Sequence, residues 1–126
     1  MKIPGKTILI ATTIIIGLAA LSGCSSTSEA VNNVSMADGK QIIKIQAKGG
    51  YSPKVTTAKA DTPTTIEVST QSTFDCSSAL VIPSLNYRKN LPPSGTTDIE
   101  VPAQKAGTKL QGLCAMGMYS FVVNFN

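Results

Sequence analysis

From Lys40 onward the chain is broken into short β-like runs, each closed by a turn signal after roughly ten residues, with no convincing helical repeat among them. Such punctuation restricts the fold to an all-β sandwich or barrel. The runs predicted as strands are Gln41–Ala47, Lys54–Lys59, Thr64–Thr70, Ala79–Ile82, Thr97–Val101, Lys109–Leu113 and Met118–Asn126. Between them lie Gly49-Gly50, Pro53, Asp61 to Pro63, Pro83, Pro92-Pro93-Ser94-Gly95, Pro102 and Gly107, residues that supply bent or left-handed backbone and stop a strand. Phe121, Val123 and Phe125 alternate with Val122 and Asn124, so one face of the last strand is expected to fill the core. The 87 residues 40–126 suffice for one domain, with a modest stability margin.

The start of the chain reads as an address. Lys2 and Lys6 precede an apolar run of 14 residues, Ile8 to Leu21, which ends in Leu21-Ser22-Gly23-Cys24. A bilayer span needs roughly 20 apolar residues, so the run suits the core of a signal peptide better. The tetrapeptide resembles the bacterial lipobox, whose cysteine is acylated and becomes the first residue of the mature protein. Residues 1–24 are therefore read as a lipoprotein signal peptide with Cys24 as the lipidation site, which puts the domain on the extracytoplasmic face of the cell membrane. The alternative is an uncleaved transmembrane anchor with the domain facing the cytoplasm. Residues 25–39, SSTSEAVNNVSMADG, are small, polar and aperiodic, the composition of a flexible linker.

Charge and aromatic content exclude some functions. The formal net charge of +4 includes Lys2 and Lys6; without them nine Lys and Arg face seven Asp and Glu, an ordinary surface balance. Lys40, Lys44 and Lys48 fall in a strand-like segment and read as solvated edge positions. With three Phe, three Tyr and no Trp, no aromatic platform for stacking bases is visible, and no nucleic-acid partner is expected. The seven carboxylates are scattered and histidine is absent, so no acid, base or nucleophile cluster points to an enzyme. A monomer is expected.

The chemistry concentrates in Cys114-Ala115-Met116-Gly117-Met118. In an extended strand, positions i, i+2 and i+4 share a face, so this spacing is expected to aim three sulfur atoms one way. Thiolate and thioether without imidazole select a soft ion, and Cu(I) suits thioethers best. Closed zinc sites want four Cys or His ligands, for which Met is a poor substitute. Blue-copper electron transfer uses two His with one Cys and a weak axial Met, and this chain has no His. Once Cys24 is lipidated, Cys76 and Cys114 remain as a pair 38 residues apart. Outside the cytoplasm two such cysteines can equally form a disulfide worth roughly 2–4 kcal/mol. The disulfide does not account for two of the three non-initiator methionines lying within four residues of Cys114.

Taken in order, Gly50-Tyr51-Ser52-Pro53, Asp75-Cys76-Ser77, Val81-Ile82-Pro83-Ser84-Leu85, Leu91-Pro92, Ala106-Gly107-Thr108 and Cys114-Ala115-Met116-Gly117-Met118 resemble the small cupredoxin domains of bacterial copper resistance. Those include membrane-anchored Cu(I) chaperones of the CupA type and the cupredoxin-like metal-binding domain of copper-exporting P-type ATPases. The resemblance implies a cupredoxin-like, plastocyanin-like Greek-key β-sandwich over residues 40–126, with metal held between two loops at one end. It places the metal ligands on Cys76, Cys114, Met116 and Met118, and names the ATPase metal-binding domain as the partner. The chain departs from the family's common pattern around the second cysteine, where it reads Leu110-Gln111-Gly112-Leu113 before and Ala115 after.

Charge counting bears on how many ions bind. One Cu(I) between two thiolates leaves a net negative charge in a partly desolvated site, and a second neutralises it. One or two Cu(I) per chain are thus expected, the tighter held mainly by the cysteines and the weaker capped by the methionines. The favoured function is a membrane-anchored Cu(I) chaperone or buffer for copper resistance. The alternatives are a structural or interaction lipoprotein stabilised by a Cys76–Cys114 disulfide and an electron-transfer cupredoxin.

Overall fold

The computed structural model describes residues 32–126, so the apolar run, Cys24 and the first part of the polar segment lie outside the described residues. Ten strands follow in chain order: β1 (Val34–Ala37), β2 (Lys40–Ala47), β3 (Tyr51–Ser52), β4 (Val55–Ala58), β5 (Thr64–Thr70), β6 (Ala79–Ile82), β7 (Tyr87–Asn90), β8 (Gly95–Val101), β9 (Lys109–Cys114) and β10 (Ser120–Phe125). Among the described residues helical geometry is confined to two three-residue 3₁₀ turns, Cys76–Ser78 and Pro83–Leu85. Among the described residues no helix is long and apolar enough to cross a membrane.

The strands form two sheets. One runs β1-β2-β5-β8 with β3 also paired to β2; the other runs β4-β10-β9-β6-β7. Pairings β2–β5 and β4–β10 are parallel and the others are antiparallel. The expected all-β sandwich is therefore what forms. Its core follows from period-two alternation. Ile43, Ile45, Ile66, Val68, Ile99 and Val101 line the inner face of the first sheet, against Leu80, Ile82, Leu110, Phe121, Val123 and Phe125 of the second. Each such side chain contributes about 1.5–3 kcal/mol by leaving water. The alternation expected of the last strand is present, with Val122 and Asn124 only half-buried between buried neighbours.

Gly112 on β9 lies directly opposite Phe121 on β10, and the Phe121 ring occupies the space that a Cβ at 112 would take. The glycine thus lets an aromatic ring lie flat on the neighbouring strand. On its other side Phe121 meets the Tyr51 ring edge to face, with centroids 5.2 Å apart and planes at 71°.

Three features depart from the sequence reading. The segment Val34–Ala37, read as linker, forms β1 and pairs with β2 from Val34↔Ile43 to Ala37↔Lys40. Its turn is Asp38-Gly39, with φ of 51° and 74°, the left-handed pair that joins tightly twisted hairpins and that Asp-Gly suits. The domain therefore begins upstream of Lys40. Strand β7 escaped notice because Tyr-Arg-Lys-Asn has no apolar alternation; it is a largely exposed edge strand. Finally, β2 is flanked on both sides by partners, so Lys44 stands on the solvent face of an interior strand, while Lys40 pairs with Glu100 at 2.8 Å.

Candidate metal centre

Cys114 is the last residue of β9 and is fully buried. Its backbone is fixed from both sides, by pairing with Leu80 of β6 and by its N–H donating to the Tyr119 carbonyl at 3.0 Å. Cys76 opens the 3₁₀ turn that precedes β6 and is half-buried against the core. The two cysteines meet at a Cα separation of 5.7 Å and are joined as a disulfide. This is the pairing that the sequence reading held as its alternative. It closes 38 residues of chain and contributes roughly 2–4 kcal/mol to stability. Reduced, the same placement leaves two thiols side by side at one end of the sandwich.

The methionines sit differently from the expectation. Strand β9 stops at Cys114, and Ala115 to Met118 turn the chain into β10 instead of continuing extended, so the residues of the Cys-x-Met-x-Met run do not share one face of a strand. Gly117 makes the turn possible: it adopts φ of 72°, and its N–H donates to the Cys114 carbonyl at 2.8 Å. The turn then curls the next residue back, and the Met118 N–H donates to the Cys114 Sγ at 3.2 Å. The physical reason is sheet closure, since β9 and β10 are antiparallel neighbours with Leu113 opposite Ser120 and the run has to supply their hairpin loop. Gly117 was the sequence signal for it. Both methionine side chains are exposed, Met116 at 77% and Met118 at 63%. Phe74, two residues before Cys76, is exposed at 81%. Apolar side chains are thus left in water beside both cysteines, as a rim about the pair.

A set of residues not foreseen from the sequence holds the Cys76 loop. The Asp75 carboxylate accepts the Ser77 N–H at 2.8 Å, the Ser77 hydroxyl, and the Gly49 N–H at 2.9 Å from the turn between β2 and β3. These bonds, the Ser77 hydroxyl foremost, hold the carboxyl below its usual range. Buried Ser77 offers its carbonyl to the Tyr51 hydroxyl at 3.0 Å. Burial, with the Asp75 charge adding to it, pushes the Tyr51 phenol up to about 12, so it stays protonated and donating. The sequence signal was Asp75-Cys76-Ser77 itself, an aspartate two residues before the N–H that it caps. Beside this turn a groove of about 310 Å³ runs past Gly49, Gly50, Met118 and Tyr119.

Among the described residues no three or more His, Cys, Asp or Glu gather as a metal cage. The donors that could serve an ion here are the two cysteines with the thioethers of the adjoining turn, a set whose chemistry suits a soft metal. The cupredoxin-like domain family matches residues 12–123. The chain belongs to that family. No curated protein matches it. Among solved structures, this cupredoxin-like chain is similar to the metal-binding domain, with Cu(I), of the Cu(I)-exporting P-type ATPase CopA of Streptococcus pneumoniae D39: 20% identity, TM-score 0.66, 74% of this chain and 92% of that one. It is also similar to a copper-binding protein solved by NMR in its apo form, at 22% identity and TM-score 0.66, over 74% of this chain and 94% of that one. At these identities the likeness shows a shared fold.

Proposed function

We propose that this cupredoxin-like chain is a membrane-anchored Cu(I) chaperone or buffer of the CupA type, serving copper resistance. In this reading Cys76, Cys114, Met116 and Met118 hold the cargo copper, and the protein passes it to the metal-binding domain of a copper-exporting P-type ATPase. The observation that carries the proposal is the meeting of Cys76 and Cys114 at 5.7 Å between Cα atoms, where the turn that leaves Cys114 bears two exposed methionines. The copper-binding structural relatives support the same reading. Two thiolates without a histidine favour Cu(I) over redox cycling, which disfavours electron transfer, and the protein is not an enzyme.

Exposed thioethers are neutral, weak donors that a partner's sulfur ligands can displace one at a time, so copper need never be free. The apolar rim of Phe74, Met116 and Met118 suits the small, transient interface that such a handover requires. Residues 32–126 loaded with Cu(I) and mixed with the acceptor domain are expected to give up copper faster than it dissociates spontaneously, followed by NMR of both partners. Equal rates would make the protein a passive buffer.

The disulfide supports a second reading, an interaction lipoprotein with Cys76–Cys114 as a structural staple. A pair that stays oxidised and copper-free in reducing buffer containing Cu(I) would establish it.

Both readings include a monomeric domain attached to the membrane through the N-terminal segment; acylation at Cys24 would put it on the extracytoplasmic side, and an uncleaved transmembrane anchor on the cytoplasmic side. Cys24→Ala is expected to block acylation and leave the precursor uncleaved there, as mass spectrometry of the membrane fraction reports. A wild-type Cys24 found unmodified, with residues 1–23 retained, would instead mean a transmembrane anchor and a cytoplasmic domain.

A further inference from the structure

The two cysteines are held by unequal means. Cys114 is the end of a strand, paired on both sides within the β4-β10-β9-β6-β7 sheet. Cys76 belongs to no strand. It lies in a three-residue 3₁₀ turn, and so short a turn does not hold its own conformation. What brackets it are its neighbours. Asp75 reaches the Gly49 N–H at 2.9 Å and caps Ser77, while the Asp75 carbonyl accepts the Ser78 N–H at 3.1 Å and the Ser78 hydroxyl at 2.9 Å. On the other side the Ser77 carbonyl takes the Tyr51 hydroxyl at 3.0 Å. Gly49 and Tyr51 belong to the β2–β3 hairpin of the opposite sheet. Cys76 is therefore held from two directions, by the chain that runs on into β6, where Leu80 pairs with Cys114, and by these hydrogen bonds to the opposite sheet. With the disulfide formed, a covalent bond fixes the meeting of the two sulfurs; with it reduced, β6 holds the C-terminal end of the turn and these hydrogen bonds hold the Cys76 end.

We propose that Asp75 is the positioning residue of the centre: by tying the Cys76 turn to the β2–β3 hairpin it keeps the Cys76 thiol at Cys114 after reduction, and so sets how tightly Cu(I) is held between them. The copper part rests on the function proposed above; the positioning part does not. A residue that orients a ligand through hydrogen bonds touches neither metal nor sulfur, yet its loss lowers metal affinity because the ligand then samples other positions. The same loss lowers the effective concentration of one thiol at the other, which weakens the disulfide without any metal present.

The test uses the full chain in detergent with Cys24→Ser in the background, so that two thiols titrate. Asp75→Ala is expected to shift the thiol–disulfide equilibrium against glutathione toward the dithiol by about tenfold, or about 30 mV. In reducing buffer it is expected to loosen the tighter Cu(I) by about 10- to 100-fold against a chelator. Asp75→Asn, which keeps one oxygen for the Ser77 N–H, recovers part of both. Should Asp75→Ala fail to fold, Tyr51→Phe removes one hydroxyl from the same bracket and moves the same constants by about two- to tenfold. Unchanged constants, with the Gly49 and Ser77 amide resonances displaced, would overturn the proposal. A glutathione shift in a chain that binds no Cu(I) at all would leave the positioning role standing and remove the copper reading alone.

Discussion

Reducing the Cys76–Cys114 bond is expected to switch copper binding on. A disulfide sulfur carries no charge and is a poor ligand, whereas two thiolates supply both the donors and the negative charge that offsets a monovalent ion. Oxidised residues 32–126 should therefore take up no Cu(I) against a chelator that reports the tighter event, and reduced protein up to two ions. Cys76→Ser or Cys114→Ser should abolish the tighter event outright, because each removes charge as well as a ligand. Met116→Ala with Met118→Ala should leave it and weaken the second ion by about tenfold, or ~1.4 kcal/mol. Since metal binding needs deprotonated thiols, uptake should release protons, measurable in weak buffer. Full copper binding by the double cysteine variant would refute the assignment, and loss of all copper by a folded methionine variant would refute the division of labour.

Phe121→Ala is expected to cost about 3–5 kcal/mol in urea unfolding of residues 32–126, the range for emptying a core aromatic site. Gly112→Ala is expected to cost about 1–3 kcal/mol for the opposite reason, because its methyl group overlaps the Phe121 ring. The two losses should not add. With the ring removed, the methyl group introduced by Gly112→Ala fills part of the vacated space, so the double variant should be at least as stable as Phe121→Ala alone. Additive losses would mean that ring and glycine are not in register contact. The pairing of Gly112 with Phe121 lies two residues before Cys114, and Phe121 packs on Tyr51, whose hydroxyl anchors Ser77. A disturbance of the core here therefore reaches the loops of both cysteines.

What the linear chain determined by itself was set by local chemistry. Alternation placed Phe121, Val123 and Phe125 in the core, because a strand's side chains have no third direction to take. Proline ended the strands at Ile82 and Val101, where the structure also ends them. The soft, histidine-free donor set came from composition. The tertiary structure decided where those donors stand. Cys76 and Cys114 are 38 residues apart, and nothing local brings them together; the meeting requires β6 to pair with β9. The Cys-x-Met-x-Met run has the spacing of a strand face, yet sheet closure needed a hairpin loop between β9 and β10 and Gly117 allowed it, so packing overruled periodicity. Strand β1 is polar enough to read as linker, and it becomes a strand because β2 offers it an open edge behind an Asp-Gly turn. The bracket around Cys76 was least visible of all. Gly49, Tyr51, Asp75 and Ser77 are ordinary residues in sequence, and they act together only once two sheets have brought a turn of one beside a loop of the other.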